Sequence, residues 1–282
     1  MKIILSKVLF ALLLLLGFYG CKEQKAAEVV KVVENQESKE VQEVQQEKPI
    51  TIEKTVLPRE SKVNFNLIIP AYYNQEGEKS VYESINDSWL EFREVNGAFV
   101  VQKAEYNLSD PLMNECTGEL QVGVFSPDEE EPLIYFSPDN SDIKEGELIS
   151  LPKGALPFWT ENVVEYVYEG NTYTFSSTGK LTDFYEYTTD DIEEPQMHKS
   201  YSDYVLYLSV NGKDKQEILK VDSFDGTFLQ VLFVGDMDGD GKLDFIFDTS
   251  SFYEEKSIDV YLSKGAKNYL YLASQGRNDF SC

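Results

Sequence analysis

Val231-Leu232-Phe233-Val234-Gly235-Asp236-Met237-Asp238-Gly239-Asp240-Gly241-Lys242-Leu243-Asp244-Phe245-Ile246-Phe247-Asp248 sets four closely spaced carboxylates between two apolar runs. Counted from Asp236, the acids stand at positions 1, 3, 5 and 9, with glycines at 4 and 6. Carboxylates packed this closely repel one another unless a cation lies among them. Calcium takes about six to eight oxygens from a flexible cage, whereas magnesium demands a tighter octahedron and keeps its waters. Gly239 and Gly241 let the backbone curl around such an ion, so calcium is the expected cofactor. Lys242, at position 7, would then turn its carbonyl inward and its side chain to solvent. The flanking runs are β-branched and aromatic and too short for amphipathic helices, so the loop is expected to join two strands.

The first nine positions match an EF-hand loop, but position 12, where that loop carries a bidentate Glu, is Phe247. The strand–aspartate loop–strand pattern instead resembles the calcium hairpin of FG-GAP repeats, the integrin-α-like repeats also called VCBS. The resemblance runs from Asp225-Gly226-Thr227-Phe228 through the strands to Lys264-Gly265. It implies side-chain ligation by Asp236, Asp238, Asp240 and Asp244, and carbonyl ligation by Lys242. Integrin-like propellers repeat this motif, and here there is one good copy. Thr178-Gly179-Lys180-Leu181-Thr182-Asp183-Phe184 echoes its second half without the leading acids. The expected fold is therefore all-β with antiparallel sheets, one propeller-like blade bearing the hairpin and packed on a separate β domain.

Outward from the loop, residues 61–282 read as short strands separated by turns. Asn96-Gly97 and Asn211-Gly212 each lie between apolar runs, the strongest local signal for a tight hairpin. Gly170-Asn171 is a third turn signal. Ile258, Val260 and Leu262 alternate with Asp259 and Tyr261, the pattern of a half-buried strand. One short helix is expected near Ser80–Leu90. Asp128–Pro132 reads as a solvated loop, and the acidic stretch Thr188–Pro195 as a boundary between β domains at 61–190 and 191–282.

Lys2 and Lys7 precede an unbroken apolar run from Val8 to Leu16, too short to span a bilayer but suited to a secretory signal. The run ends at Gly20-Cys21. This resembles a bacterial lipoprotein signal, which implies cleavage after residue 20, lipidation of Cys21 with acyl chains such as palmitate, and anchorage in the cell envelope at the outer membrane. Residues 21–60, rich in Glu, Lys and Gln and lacking aromatics, read as a flexible, acidic and Gln-rich tether. As a coil they reach on the order of 35 Å, enough to hold a domain clear of the headgroups.

With Cys21 lipidated, Cys116 and Cys282 remain as an even pair in an oxidising compartment, and a disulfide between them is expected, with two free thiols as the alternative. A net charge of −25, from 25 basic and 50 acidic residues, excludes nucleic acid as a partner. The single histidine, His198, rules out a multi-histidine metal site. The leading expectation is a membrane-anchored, calcium-binding, non-enzymatic lipoprotein with a structural, adhesive or ligand-binding role and an unspecified protein or glycan ligand. The alternative is a carbohydrate-binding or glycan-processing surface protein in which Trp89, Trp159 and some of the tyrosines stack on sugars. Hydrolysis through His198 is the remotest reading, since Gln196–Ser200 reads as exposed punctuation.

Overall fold

The apolar runs on either side of the aspartate loop become adjacent antiparallel strands, and both faces of their sheet are covered. The structure, a computed structural model, describes residues 64–75, 81–154, 157–187 and 196–280. Its first strands are β1 (Leu67–Ile68), β2 (Ala71–Asn74), β3 (Leu90–Val95), β4 (Ala98–Lys103), β5 (Asn107–Leu108) and β6 (Leu112–Met113). Next come β7 (Leu120–Phe125), β8 (Ile134–Phe136), β9 (Gly146–Glu147), β10 (Ile149–Ser150), β11 (Val163–Tyr168) and β12 (Asn171–Tyr187). The last are β13 (Gln196–Val210), β14 (Gln216–Ser223), β15 (Gln230–Asp236), β16 (Asp244–Asp248), β17 (Glu255–Leu262) and β18 (Tyr271–Asp279). The expected helix near Ser80–Leu90 is a single 3-10 turn, Val81–Ser84, and Leu90 already opens β3.

Four antiparallel sheets result, ordered β1-β8-β3-β4-β9, β10-β15-β16-β17-β18, β11-β12-β13-β14 and β2-β7-β5, with β6 also on β7. The Asn-Gly turns form as read, with positive φ at Asn96 and Gly97 and at Asn211 and Gly212. The third turn sits one residue earlier than expected. Tyr168 pairs with Asn171, so Glu169 and Gly170 carry its positive φ values.

The sheet of β15 to β18 is the middle layer of a sandwich. On one face Phe245 lies 5.0 Å, centroid to centroid, from Phe175 of β12, and Phe247 6.0 Å from Phe158. On the other, Phe233 stands edge-on to Phe92 and Phe99 at 5.0 and 5.1 Å, with Ile246, Ile258 and Val260 in the same core. Burial on both faces explains why Phe245-Ile246-Phe247 is continuously apolar rather than alternating. It also corrects the half-buried reading of β17. Asp259 and Tyr261 are as buried as their aliphatic neighbours, and Asp259 Oδ1 accepts a hydrogen bond from Gln275 Nε2 at 2.6 Å.

The boundary expected at 188–195 lies outside the described residues. The strands on either side of it, β12 and β13, pair from Tyr173↔Val210 to Tyr187↔Gln196. Two of the three cores draw on both sides of it. A smaller third core, holding Trp89, Tyr135, Tyr73 and Val124, fills the space where the sheet of β2 and β7 covers the outer face of β3 and β8.

Candidate metal site

Three backbone features build the aspartate loop. Gly235 pairs with Ser150 of the short edge strand β10, and a Cβ there would fall 2.2 Å from the Ile149 carbonyl oxygen, so only glycine lets that edge close. Gly239 and Gly241 hold φ values of 73° and 80°, in the left-handed region that a tight curl requires. Asp236 then organises the curl. Its Oδ1 accepts hydrogen bonds from the N–H groups of Gly239 at 2.8 Å and Asp240 at 3.2 Å, and its Oδ2 from Gly241 N–H at 3.0 Å.

Asp236, Asp238 and Asp244 converge, each offering a carboxylate oxygen within 4.8 Å of the other two. Asp244 is fully buried at the start of β16. Its Oδ2 accepts hydrogen bonds from Met237 N–H at 2.7 Å and Asp238 N–H at 3.3 Å, and its Oδ1 from Ser263 N–H at 2.7 Å. Burial, reinforced by the neighbouring Asp238 charge, pushes the Asp244 carboxyl up to about 8. Asp238 is raised as well, first by burial and then by the charge of Asp240.

Asp240 stands apart from this trio. Its Oδ1 accepts hydrogen bonds from Lys242 N–H and Ser263 Oγ, both at 2.9 Å, and its Oδ2 pairs with Lys242 Nζ at 2.9 Å. These partners hold its carboxyl below the usual range against the opposing effect of burial. The exposed Lys242 side chain is thus the counter-ion of Asp240.

Ser263, in the β17–β18 turn, gave no signal of its own in the sequence, and Lys264 entered only as the end of the hairpin resemblance, not as a site residue. Both close the site: Ser263 through the two contacts above, and Lys264 N–H by donating to Asp238 Oδ2 at 3.3 Å. Leu243 N–H donates to Tyr173 Oη at 3.3 Å, so β12 supports the loop from the neighbouring sheet.

The trio fits a divalent cation. Among the described residues the hydrogen bonds to Asp244 all come from N–H donors, which its two oxygens accept as a carboxylate. An ionised Asp244 satisfies all three donors and needs positive charge nearby, which a hard cation bound by oxygens supplies.

The other expected residues lie elsewhere. Cys116 is disulfide-bonded in the exposed turn after β6, where its N–H donates to Asn114 Oδ1 at 2.9 Å. Cys21 and Cys282 lie outside the described residues, as do the signal and the tether. No helix among the described residues is long and apolar enough to cross a membrane. Trp89 is inside the third core, which removes it as a sugar-stacking platform. Trp159 is half-buried, with Lys199 Nζ 4.4 Å above its ring. His198 lies on β13, its ring tilted by 34° against that of Tyr185 at 4.9 Å between centroids, with Nε2 3.3 Å from Ser200 Oγ.

The loop reading as solvated, Asp128–Pro132, is hooked to β3 by Arg93. Its Nη1 pairs with Asp128 at 2.8 Å, and its Nη2 donates to Ser126 Oγ at 3.0 Å and to the Glu130 carbonyl at 3.2 Å. Arg93 Nε lies 2.9 Å from Oε1 of Glu91, which is fully buried. Gln102 Nε2 donates to the same oxygen at 2.7 Å.

Comparison with protein-family models, with curated proteins and with solved structures returned no match.

Proposed function

We propose that this chain is a calcium-binding, non-enzymatic protein of the cell envelope, held at the outer membrane through a lipidated Cys21, whose bound ion rigidifies a structural, adhesive or ligand-binding surface. The observation that carries the calcium reading is the convergence of Asp236, Asp238 and Asp244, with Asp244 contacted only by donors. In this reading those three carboxylates hold the ion, Lys242 contributes its carbonyl, and Asp240 joins when it leaves Lys242 Nζ. The β15–β18 meander that carries the loop corresponds to the propeller-like blade of the FG-GAP resemblance. An ion at this point joins the β15–β16 loop to the β17–β18 turn through Ser263 and Lys264, and to β12 through Tyr173. It acts as a cross-brace between two sheets and stabilises the native state because the unfolded chain has no such cage.

Isothermal titration with calcium and melting in calcium against chelator test this. The expected result is saturable heat with a dissociation constant on the order of 10⁻⁴–10⁻³ M, a higher melting temperature in calcium, and loss of both in Asp238→Ala. Absence of heat and of a melting shift in the wild type rejects the calcium reading. For the anchor, labelled palmitate is expected in the wild type and not in Cys21→Ser; equal labelling rejects it.

A further inference from the structure

A cleft of about 600 Å³ opens at the end of the molecule away from the aspartate loop, where β2, β17, β18 and the segment before β8 meet. Its volume lies within the range of about 300–1,000 Å³ usual for small-molecule sites. The floor is aliphatic, formed by Ile69, Leu133, Leu232 and Ile258. Tyr72 and Phe280, both exposed, stand at the mouth.

Two features specify the occupant. The first is a shortage of backbone groups. Pro70 and Pro132 in the wall carry no N–H, β2 pairs with β7 along one edge, and on its open edge the Tyr72 carbonyl accepts Asn278 Nδ2 at 2.7 Å. An extended peptide would find few main-chain partners along this wall, and strand addition depends on them. The second is charge. Lys256 is the one cation among the described lining residues, half-exposed, and an ammonium has two donors beyond the one it spends on Asp248 Oδ2. Of the other polar side chains on the rim, Gln121 Nε2 donates to Asn74 Oδ1, and Glu131, an acid, has its Oε2 accepting from Ser126 N–H.

From this we infer that the cleft binds a single-chain aliphatic anion, such as a medium-chain carboxylate, with its hydrocarbon on the Ile69–Ile258 floor and its head at Lys256. The inference is independent of the calcium reading.

Titration calorimetry with sodium decanoate, hexanoate and decyltrimethylammonium tests it. Each buried methylene tightens binding about fourfold, so decanoate is expected to bind about two orders of magnitude more tightly than hexanoate, with one site per chain. The ammonium amphiphile is expected to bind at least about tenfold more weakly than decanoate, because it forfeits a charge-assisted hydrogen bond. Lys256→Met is expected to erase that head-group preference and Lys256→Arg to keep it. Ala71→Phe, which narrows the cleft and leaves Lys256 in place, is expected to weaken decanoate binding; thermal melts of all variants establish that they are folded. Vesicles of anionic phospholipid are expected not to compete with decanoate. The inference is overturned by equal binding of the two head groups, by decanoate binding unchanged in folded Ala71→Phe, by vesicles displacing decanoate, or by an apolar hexapeptide occupying the cleft when decanoate does not.

Discussion

Raising the pH in the presence of a chelator is expected to weaken this fold across a window set by one carboxyl. The Asp244 carboxyl titrates near 8 in the folded protein, against an ordinary value of 3.8. Below pH 4 both states carry its proton and it contributes no pH dependence. Between about pH 4 and 8 the folded protein keeps a proton that the unfolded chain releases, so stability falls as pH rises, by at most about 1.4 kcal/mol per unit. From pH 5.5 to 7.5 the expected loss is therefore on the order of 2–3 kcal/mol. Asp238, also raised, adds in the same direction. Asp240 and Glu161 are held low, so what they contribute is in place above about pH 5.5 and stays constant from there to pH 8. Urea denaturation at half-unit steps in chelator measures the slope. Asp244→Asn is expected to be less stable throughout, because its amide hydrogens would face N–H donors, yet to have a flatter slope. Calcium requires the ionised carboxylate. Titration near pH 6.5 in buffers of different ionisation enthalpy should therefore show about one proton released per ion. A slope identical in Asp244→Asn, together with calcium binding that releases no proton, refutes the reasoning.

Other perturbations test other parts of the fold. Phe245→Ala removes a ring with no solvent exposure from the core between two sheets and is expected to cost about 3–5 kcal/mol in urea denaturation. Arg93→Ala leaves Glu91 buried without its cation and is expected to cost about 3–5 kcal/mol, whereas Arg93→Met combined with Glu91→Gln should cost much less; equal losses would mean that charge pairing is not what holds this strand. Gly235→Ala places a methyl against the Ile149 carbonyl and is expected to release β10, seen as lost hydrogen-exchange protection at Leu151, with about 1–3 kcal/mol of destabilisation.

Local chemistry made part of this fold legible in advance. The hairpins at Asn96-Gly97 and Asn211-Gly212 and the curl at Gly239 and Gly241 each depend on residues that tolerate positive φ, and that preference is written into neighbouring positions. The strand character of 230–248 was equally plain. The layering was not, because it depends on which sheets meet. Asp259 within β17 has the sequence signature of a solvent face, and only a second covering sheet turns it inward. Glu91 and Arg93 follow the same logic on β3, where polar alternation marks a buried ion pair instead of a wet surface. In the candidate metal site, the spacing picked out Asp236, Asp238 and Asp244, which converge. The diversion of Asp240 to Lys242 and Ser263 could not be read, since Ser263 lies 23 residues away and meets the loop only through the β17–β18 turn.

Sandwiching the last-made sheet between two earlier ones dictates an order of events. A nascent chain that has reached Gly226 already contains the sheets on either side, with the rings of Phe92, Phe99 and Phe175 still lacking Phe233 and Phe245, which cover them. Neither layer is sealed until its shared lining is synthesised, so maturation waits on residues 227–282. Loss of that portion strips the protection from two greasy surfaces at once, and a prematurely terminated product is destined for precipitation or proteolysis rather than for a smaller working domain.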